Sequence, residues 1–539
     1  MGYTGHIDTF TKDRLPPKSE WPDLILDRPE FTYPERMNAG VELSDRMVEK
    51  GFGDHVALIG HGRTRTYKEL TDWSNRIANV LVDDYGVVPG HRVLVRSPNT
   101  PAMVAVWLAV TKVGAVAVNT MPMLRAAELS KIVNKAEISL ALCDKRLADE
   151  LQACAATSDF LTDILCFDGE MGHDGDMDRM ALTKSVRFEG VETAADDVAL
   201  LGFTSGTTGE PKATMHFHRD LLIIADGYAQ EVLGTTEEDV FIGSPPLAFT
   251  FGLGGLAIFP LRFGASAVLL EDATPLNLLK YIDAYNASIC FTSPTAYKVM
   301  LQQPDATKSM ASLRIAVSAG ETLLPSVFDA WNAAMDAPIL DGIGATEMLH
   351  IFISNRSDDA RPGATGTCVS GYEAMIVDDN FEEVPRGTTG RLVVRGPTGC
   401  RYMQDDRQRK YVRDGWNITG DAFEQDEDGY FHFRARMDDM IVSSGYNIAG
   451  PEVEDAVLTH PAVLECAVIG CPDPERGQLV EAHVVLKDGQ SGDDAMILDI
   501  QNHVKQSIAP YKYPRSVVFC DALPKTQTGK IQRFKLRAH

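Results

Sequence analysis

The chain has 539 residues, room for two or more domains at about 100–200 residues each, and its 44% hydrophobic and 24% charged content excludes a largely disordered protein. A net charge of −25 repels nucleic-acid phosphates and anionic membranes, so DNA, RNA and lipid-surface roles are set aside. Any polyanionic ligand has to be held by local cations and backbone amides.

Residues 1–50 are rich in proline and charge and are predicted to wrap the surface ahead of the first regular unit. The N-terminus lacks a basic-then-apolar leader, and His6 stands where a myristoylation signal needs Ser or Thr. From Val56 onward strand-like runs alternate with helical patterns: a strand at 92–95, a helix at 101–112 and a strand at 115–118, with further strands at 267–270 and 315–317. That alternation predicts an α/β fold, a large N-terminal domain of helix-covered, mostly parallel sheets. The apolar run 102–118 is broken by Lys112 and is too short to span a bilayer comfortably. The acidic stretch 174–178 fails as a calcium loop, because Arg179 takes the place of the glycine and Ser185 that of the glutamate, and it is read as a solvated loop. The glycines at 252, 254 and 255 approximate a dinucleotide fingerprint without a strand-turn-helix context and are discounted. Near residue 390 shorter strands at 391–395 and 429–433 predict a small β-barrel-like part, and after Met437 a compact α+β pattern runs to the end. The expected domains are therefore residues 1–437 and 438–539. Nine scattered cysteines, without a CxxC pair or a zinc spacing, are read as buried thiols of a cytoplasmic protein.

The most informative stretch follows the apolar run 198–203: Thr204-Ser205-Gly206-Thr207-Thr208-Gly209-Glu210-Pro211-Lys212. It reads as a strand running into a phosphate loop. Two glycines let backbone N–H groups approach an anion, four hydroxyls add donors and Lys212 supplies a cation. The spacing is not that of a Walker loop.

Further segments combine with it: Thr66-Tyr67-Lys68-Glu69-Leu70, Asp341-Gly342-Ile343-Gly344-Ala345-Thr346-Glu347, Trp416-Asn417-Ile418-Thr419-Gly420-Asp421, Ala435-Arg436-Met437-Asp438, Ser443-Ser444-Gly445-Tyr446 and Pro524-Lys525-Thr526-Gln527-Thr528-Gly529-Lys530. In order and approximate spacing, over nearly the whole chain, they resemble the adenylate-forming superfamily of acyl-CoA synthetases, peptide-synthetase adenylation domains and luciferases. The resemblance implies ATP, Mg²⁺ and CoA. A carboxylate is a poor acyl electrophile, and ATP converts it to a mixed anhydride by letting it attack the α-phosphate while cations and dipoles stabilise the developing charge. By the same resemblance residues 204–212 cradle the β- and γ-phosphates, Thr346 lies at the α-phosphate and Glu347 helps hold Mg²⁺. Asp421 is placed on the ribose hydroxyls with Arg436 nearby, and Gly320, Glu321, Asp341 and Gly342 border the nucleotide and acyl pockets. Lys530 is implied to bridge the carboxylate and α-phosphate from a mobile C-terminal domain. Asp438 matches the hinge, and Ser444, Gly445 and Tyr446 match the loop that admits the pantetheine arm. Tyr511 and Lys512 are candidates for the nucleotide end of CoA.

Substrate choice is expected in Phe249, Thr250, Phe251, Tyr297, Ala319, Gly344 and His350, an aromatic and small-residue set that suits an aryl acid. The run 344–352 looks like the benzoate-CoA ligase branch, and the N-terminal segment resembles its 2-aminobenzoate members; Ala345 departs from the serine many of them carry. His350 reads equally as a contact to a ring substituent or as a core histidine. The resulting expectation is an enzyme making aryl-CoA from a benzoate, ATP and CoA, with an aliphatic acyl-CoA synthetase or a carrier-loading adenylation module as alternatives and a homodimer left open.

Overall fold

The computed structural model describes residues 2–169, 174–204, 210–443, 446–473, 476–508, 510–525 and 531–537. Contacts divide the chain into two compact units, Met1–Ala374 with Val394–Asn417, and Met375–Val393 with Ile418–His539. The turn Met437–Asp439, where sequence reasoning puts the domain boundary, lies within the second.

The first unit contains two helix-covered sheets, as the alternating pattern predicts. One runs in the order Asp163–Phe167, Leu140–Asp144, Arg92–Arg96, Val116–Thr120, Val198–Thr204 and Lys212–Phe217, with only the last pair antiparallel. Its central strands are buried throughout because both faces are covered, which is why the sequence shows the apolar runs Val93–Val95 and Val116–Val118. The helix Pro101–Lys112 starts where the Thr100 hydroxyl accepts from the Met103 amide at 3.2 Å, with proline in the first turn. Lys112, the charge that interrupts the apolar run, is buried and meets Asp45 at 2.7 Å, together with Ser74 and Asn75.

The second sheet has nine strands in the order Thr367–Cys368, Ile351–Ser354, Ile339–Gly344, Ile315–Ser318, Ile289–Thr292, Val240–Gly243, Ser266–Val268, Val56–Gly60 and Arg63–Thr66. The stretch from Ile339–Gly344 to Val56–Gly60 is parallel, and the edges are antiparallel. Thr66 and Glu69 form a capping box, with the Thr66 hydroxyl accepting from the Glu69 amide at 3.2 Å and the Glu69 carboxylate from the Thr66 amide at 2.9 Å. That reciprocal pair starts the helix Tyr67–Asp83. A smaller sheet orders Glu373–Val377, Gly390–Arg395, Trp416–Gln425 and Val412–Arg413, with Phe431–Arg436 beside the third, and supplies the curled, barrel-like part.

Two readings need correction, and a third, the discounted fingerprint, gains its physical reason. The N-terminal segment does more than wrap the surface: Phe10, Phe31, Leu43 and Met47 are buried, and Phe10 joins the core beneath the six-stranded sheet. The acidic stretch is not wholly solvated, since Asp178 is buried and accepts from the amides of Asp168 (2.6 Å) and Gly175 (2.9 Å), capping Asp176–Leu182. The glycines near 254 serve packing. A Cβ on Gly254 would stand 2.4 Å from the His350 ring, and one on Gly255 2.8 Å from the Phe291 ring.

In the second unit, Tyr446–Ala449, Met440–Ser443, Gly477–Leu486 and Val463–Asp473 form a sheet in that order, with Ser516–Phe519 parallel to Gly477–Leu486. Ile441, Ile448, Val453, Val457, Val468, Val484, Ile500 and Val504 make its core against the helices Gly450–Leu458 and Asp494–Ser507. All nine cysteines are free. Among the described residues no helix is long and apolar enough to cross a membrane.

His218 gives the first unit a measurable acid sensitivity. It is fully buried and its Nδ1 accepts from the Ala39 amide at 3.1 Å. Burial, with His6 adding to it, lowers the imidazole from its ordinary 6.5 to about 3. The unfolded chain takes up this proton below 6.5 while the folded one does not, so the stability His218 contributes is complete above 6.5. It drains as pH falls toward the folded value, at about 1.4 kcal/mol per pH unit. His218→Asn keeps an acceptor for Ala39 and does not titrate. Its loss of unfolding free energy between pH 7 and pH 5, measured by urea denaturation, should be smaller than the wild-type loss by about 2 kcal/mol; equal losses would refute this.

Candidate active site

Four parallel strands of the nine-stranded sheet, Val240–Gly243, Ile289–Thr292, Ile315–Ser318 and Ile339–Gly344, point their carboxyl ends the same way. In open α/β sheets ligands bind outside those ends. Phe249, Thr250 and Phe251 follow the first of the four, Ala319, Gly320 and Glu321 the third, and Asp341, Gly342, Gly344, Thr346, Glu347 and His350 lie on or after the fourth. The topology therefore gathers residues from distant stretches of chain.

Ser318 and Asp341 are register partners on adjacent strands, and the Ser318 hydroxyl donates to the Asp341 carboxyl at 3.4 Å. Burial holds that carboxyl well above the usual carboxylate range. Gly320 sits at φ +87°, and open space lies where a Cβ would project. Glycine adopts that conformation without strain. Glu321 is half-buried and accepts from the Thr295 hydroxyl at 2.6 Å.

Aromatic rings surround His350. Its ring centroid lies 4.5 Å from Phe259, 5.5 Å from Tyr228, 5.6 Å from Phe251 and 6.3 Å from Phe291. The side chain is only 2% exposed, and burial lowers its pKa to about 3, so it is neutral at physiological pH. Neither ring nitrogen meets a described partner at hydrogen-bonding distance and angle, the Phe251 backbone being the polar group that acts on it. Phe251 is half-buried between His350 and Phe291, and Phe249 is 41% exposed.

Tyr297 has to be taken off the list of aromatic faces open to a substrate. It is fully buried in the core against Trp331, with centroids 4.9 Å apart, and its hydroxyl donates to the carbonyls of Cys290 (2.7 Å) and Val317 (3.1 Å). It ties two strands together from beneath.

The phosphate stretch proves to be a hairpin, with Thr204 paired antiparallel to Lys212. Residues 205–209, which include Ser205, Gly206, Thr207, Thr208 and Gly209, lie outside the described residues. A strand, Lys212–Phe217, and not a helix follows the stretch. The hairpin abuts the Glu347 turn: a Cβ on Gly202 would approach the Thr346 methyl to 2.8 Å. His216 is buried beside them, and burial lowers it to about 4.

One residue that carried no sequence signal joins the two parts. The Tyr402 hydroxyl accepts from the Lys212 ammonium at 3.1 Å and donates to the Glu347 carboxylate. Its segment docks on the strand Lys212–Phe217 through the pairs Met215 N to Arg401 O and Met403 N to Ala213 O, both 2.8 Å. The buried ion pair of Arg401 with Asp220 fastens the same segment.

In the second unit, Asp421 and Arg436 are register partners across an antiparallel pair, and Arg436 donates to the Asp421 carboxylate at 2.8 Å. Lys512 is engaged with Glu452 at 2.5 Å and would have to exchange that partner to reach a phosphate; Tyr511 is 39% exposed. Ser443 pairs with Tyr446, while Ser444, Gly445 and the side chains of Tyr446 and Asp438 lie outside the described residues. So does Lys530, although the ends of its segment are paired, Lys525 bridging Ile531.

Residues 46–402 match the AMP-binding enzyme family and residues 452–530 the AMP-binding enzyme C-terminal domain. A benzoate–CoA ligase of Thauera aromatica is 36% identical over 95% of this chain and 97% of its own. The chain belongs to the AMP-forming acid–CoA ligases of the adenylate-forming superfamily. The ligase is also 30% identical to a 3-hydroxybenzoate–CoA ligase of Aromatoleum sp. (strain CIB), over 93% of this chain and 96% of the relative. The anthranilate CoA ligase AuaEII, solved with anthranoyl-AMP, superposes with a TM-score of 0.87 at 34% identity, covering 95% of the ligase and 98% of that structure. A benzoate CoA ligase from Burkholderia xenovorans LB400 superposes with a TM-score of 0.83 at 30% identity, covering 93% and 100%.

Family membership implies ATP binding and CoA ligation by this ligase. The Glu347 carboxylate, which accepts from the Tyr402 hydroxyl on Oε1, offers the hard oxygen that Mg²⁺ takes. Among the described residues no group of three or more His, Cys, Asp or Glu side chains could cage a metal. A small hard cation is usually held by one or two carboxylates together with water and phosphate oxygens.

Proposed function

We propose that this ligase converts benzoate or a small ring-substituted benzoate such as 2-aminobenzoate to its CoA thioester through an acyl-adenylate, releasing AMP and pyrophosphate. The observation that carries the reading is the aromatic cluster of Phe251, Phe259, Phe291 and Tyr228 around an uncharged His350. Residues 249–253, 319–320 and 343–350 contain no Arg or Lys, so a second carboxylate would be buried without a partner, at a cost of several kcal/mol. A flat ring fills space between aromatic faces at little entropic cost, whereas a flexible chain loses rotamer freedom there. The similarity to benzoate, 3-hydroxybenzoate and anthranilate ligases supports the same class.

In this reading Thr204 to Lys212 hold the β- and γ-phosphates, Thr346 the α-phosphate and Asp421 with Arg436 the ribose. Glu347 would hold Mg²⁺, which neutralises phosphate charge when bound. Lys530 stabilises the attack of the carboxylate oxygen on the α-phosphorus as pyrophosphate leaves. Asp438 is the pivot, after which the loop of Ser444 and Gly445 admits the CoA thiol.

The test is a panel of carboxylic acids assayed by CoA-dependent AMP formation. Benzoate or 2-aminobenzoate should show a higher kcat/KM than acetate, hexanoate or a dicarboxylate. Far better turnover of hexanoate than of every benzoate would replace the aryl assignment with an aliphatic one, and AMP formation only with a carrier protein would make the chain a loading module.

A further inference from the structure

Tyr402 is fully buried, yet its hydroxyl stands between the two charged side chains that the phosphate reaction needs. The Lys212 ammonium donates to the phenolic oxygen at 3.1 Å and lies 5.0 Å from the ring centroid. The phenolic O–H donates to Oε1 of Glu347, itself 9% exposed. A phenol is protonated at neutral pH, so this hydroxyl is a donor to the carboxylate. The ring is fixed from other sides. Its backbone is bridged to Thr214, its amide donates to Gln408 at 2.8 Å, and its ring meets Tyr411 edge-on at 5.6 Å.

We propose that Tyr402 is a positioning residue that orients the Glu347 carboxylate toward Mg²⁺ and couples it to Lys212 at the phosphates. The inference rests on the assignment of Glu347 to Mg²⁺ made above. A carboxylate that accepts on one oxygen from a fixed O–H cannot rotate freely, so its remaining lone pairs keep a constant direction. The cation on the phenolic oxygen strengthens that O–H as a donor, because hydrogen bonds in a chain polarise one another. Groups that hydrogen-bond a metal ligand typically account for about 10- to 100-fold in metal affinity.

Equilibrium binding of ATP to wild type, Tyr402→Phe and Glu347→Gln, measured calorimetrically with saturating Mg²⁺ and with EDTA, tests this on the full chain. Tyr402→Phe keeps the ring and its packing. It should raise the Kd for ATP in Mg²⁺ about 10-fold and leave the Kd in EDTA within about twofold of wild type. Glu347→Gln should abolish most of the gain that Mg²⁺ gives. If Glu347→Gln retains the wild-type Mg²⁺ gain, the metal assignment itself fails. If Glu347→Gln loses it while Tyr402→Phe retains it, the role of Tyr402 is overturned; a Tyr402→Phe loss that is equal in Mg²⁺ and EDTA also overturns it, because a merely structural defect weakens both. Should Tyr402→Phe not fold by circular dichroism, Tyr402→Gln, which restores a donor, is compared with Tyr402→Leu. A larger Mg²⁺ gain in the Gln variant supports the role, and equal gains overturn it.

Discussion

Replacing Lys530 with alanine is expected to slow acyl-adenylate formation at least about 100-fold while leaving thioester formation from a supplied aryl-adenylate near the wild-type rate. The lysine ends the segment that matches the C-terminal domain of the family, and no other cation stands in the 524–530 stretch except Lys525, which pairs with Glu465 at 2.7 Å. A compact ammonium on a flexible stem can contact both the attacking carboxylate and the α-phosphate oxygens. Removing it costs the transition state in which negative charge moves from carboxylate to pyrophosphate. It should cost little once the mixed anhydride exists, because the thiol attack has its developing charge on the acyl oxygen and the departing AMP. Single-turnover measurement of each half-reaction distinguishes these cases, and an equal loss in both would remove Lys530 from the first step alone.

Glu347→Ala should lower kcat/KM for ATP at least about 100-fold at low millimolar Mg²⁺, with partial recovery as Mg²⁺ is raised. The side chain is a hard oxygen donor on a short 3₁₀ turn, Thr346–Met348, that is pressed against the phosphate hairpin at Gly202. That contact holds the turn, so truncation would remove the proposed Mg²⁺ ligand and leave the contact with the hairpin in place. A titration of rate against Mg²⁺ reads the effect directly. Wild-type kcat/KM across the whole titration would mean that the metal is held elsewhere.

The parts of the fold that could be read from sequence are those where a local signal and the tertiary environment agree. The run Val93–Val95 is apolar because the strand is covered on both faces, and Thr66 with Glu69 is a helix start by local chemistry alone. The Thr204–Lys212 stretch was visible through its glycines and hydroxyls, but not its closure as a hairpin, since Lys212 begins a short strand whose pairing depends on neighbours. Tyr297 was misplaced because an aromatic residue in the first turn of Pro294–Leu301 can face either the sheet end or the core; two strand carbonyls waiting for its hydroxyl decide the matter, and they come from elsewhere in the chain. Tyr402 was invisible for a related reason. It lies in an irregular segment without periodicity, and its partners are 55 and 190 residues away. For His350 the sequence offered two readings, and the structure buries the ring as the core reading has it, neutral and enclosed by aromatics.

The close approach of Gly254 to His350 and of Gly255 to Phe291 bears on how this protein could be redesigned. In the proposed acid site the helical stretch carrying those glycines leaves no room for a side chain: at 254 or 255 it would meet a ring, and at Gly252 it would strike the Pro246 carbonyl at 2.1 Å. Libraries aimed at bulkier acids therefore gain nothing from randomising 252, 254 or 255. Diversity belongs at 249 and 251, where side chains can be shortened without moving backbone, so the space open to engineering is set from the front of the cluster.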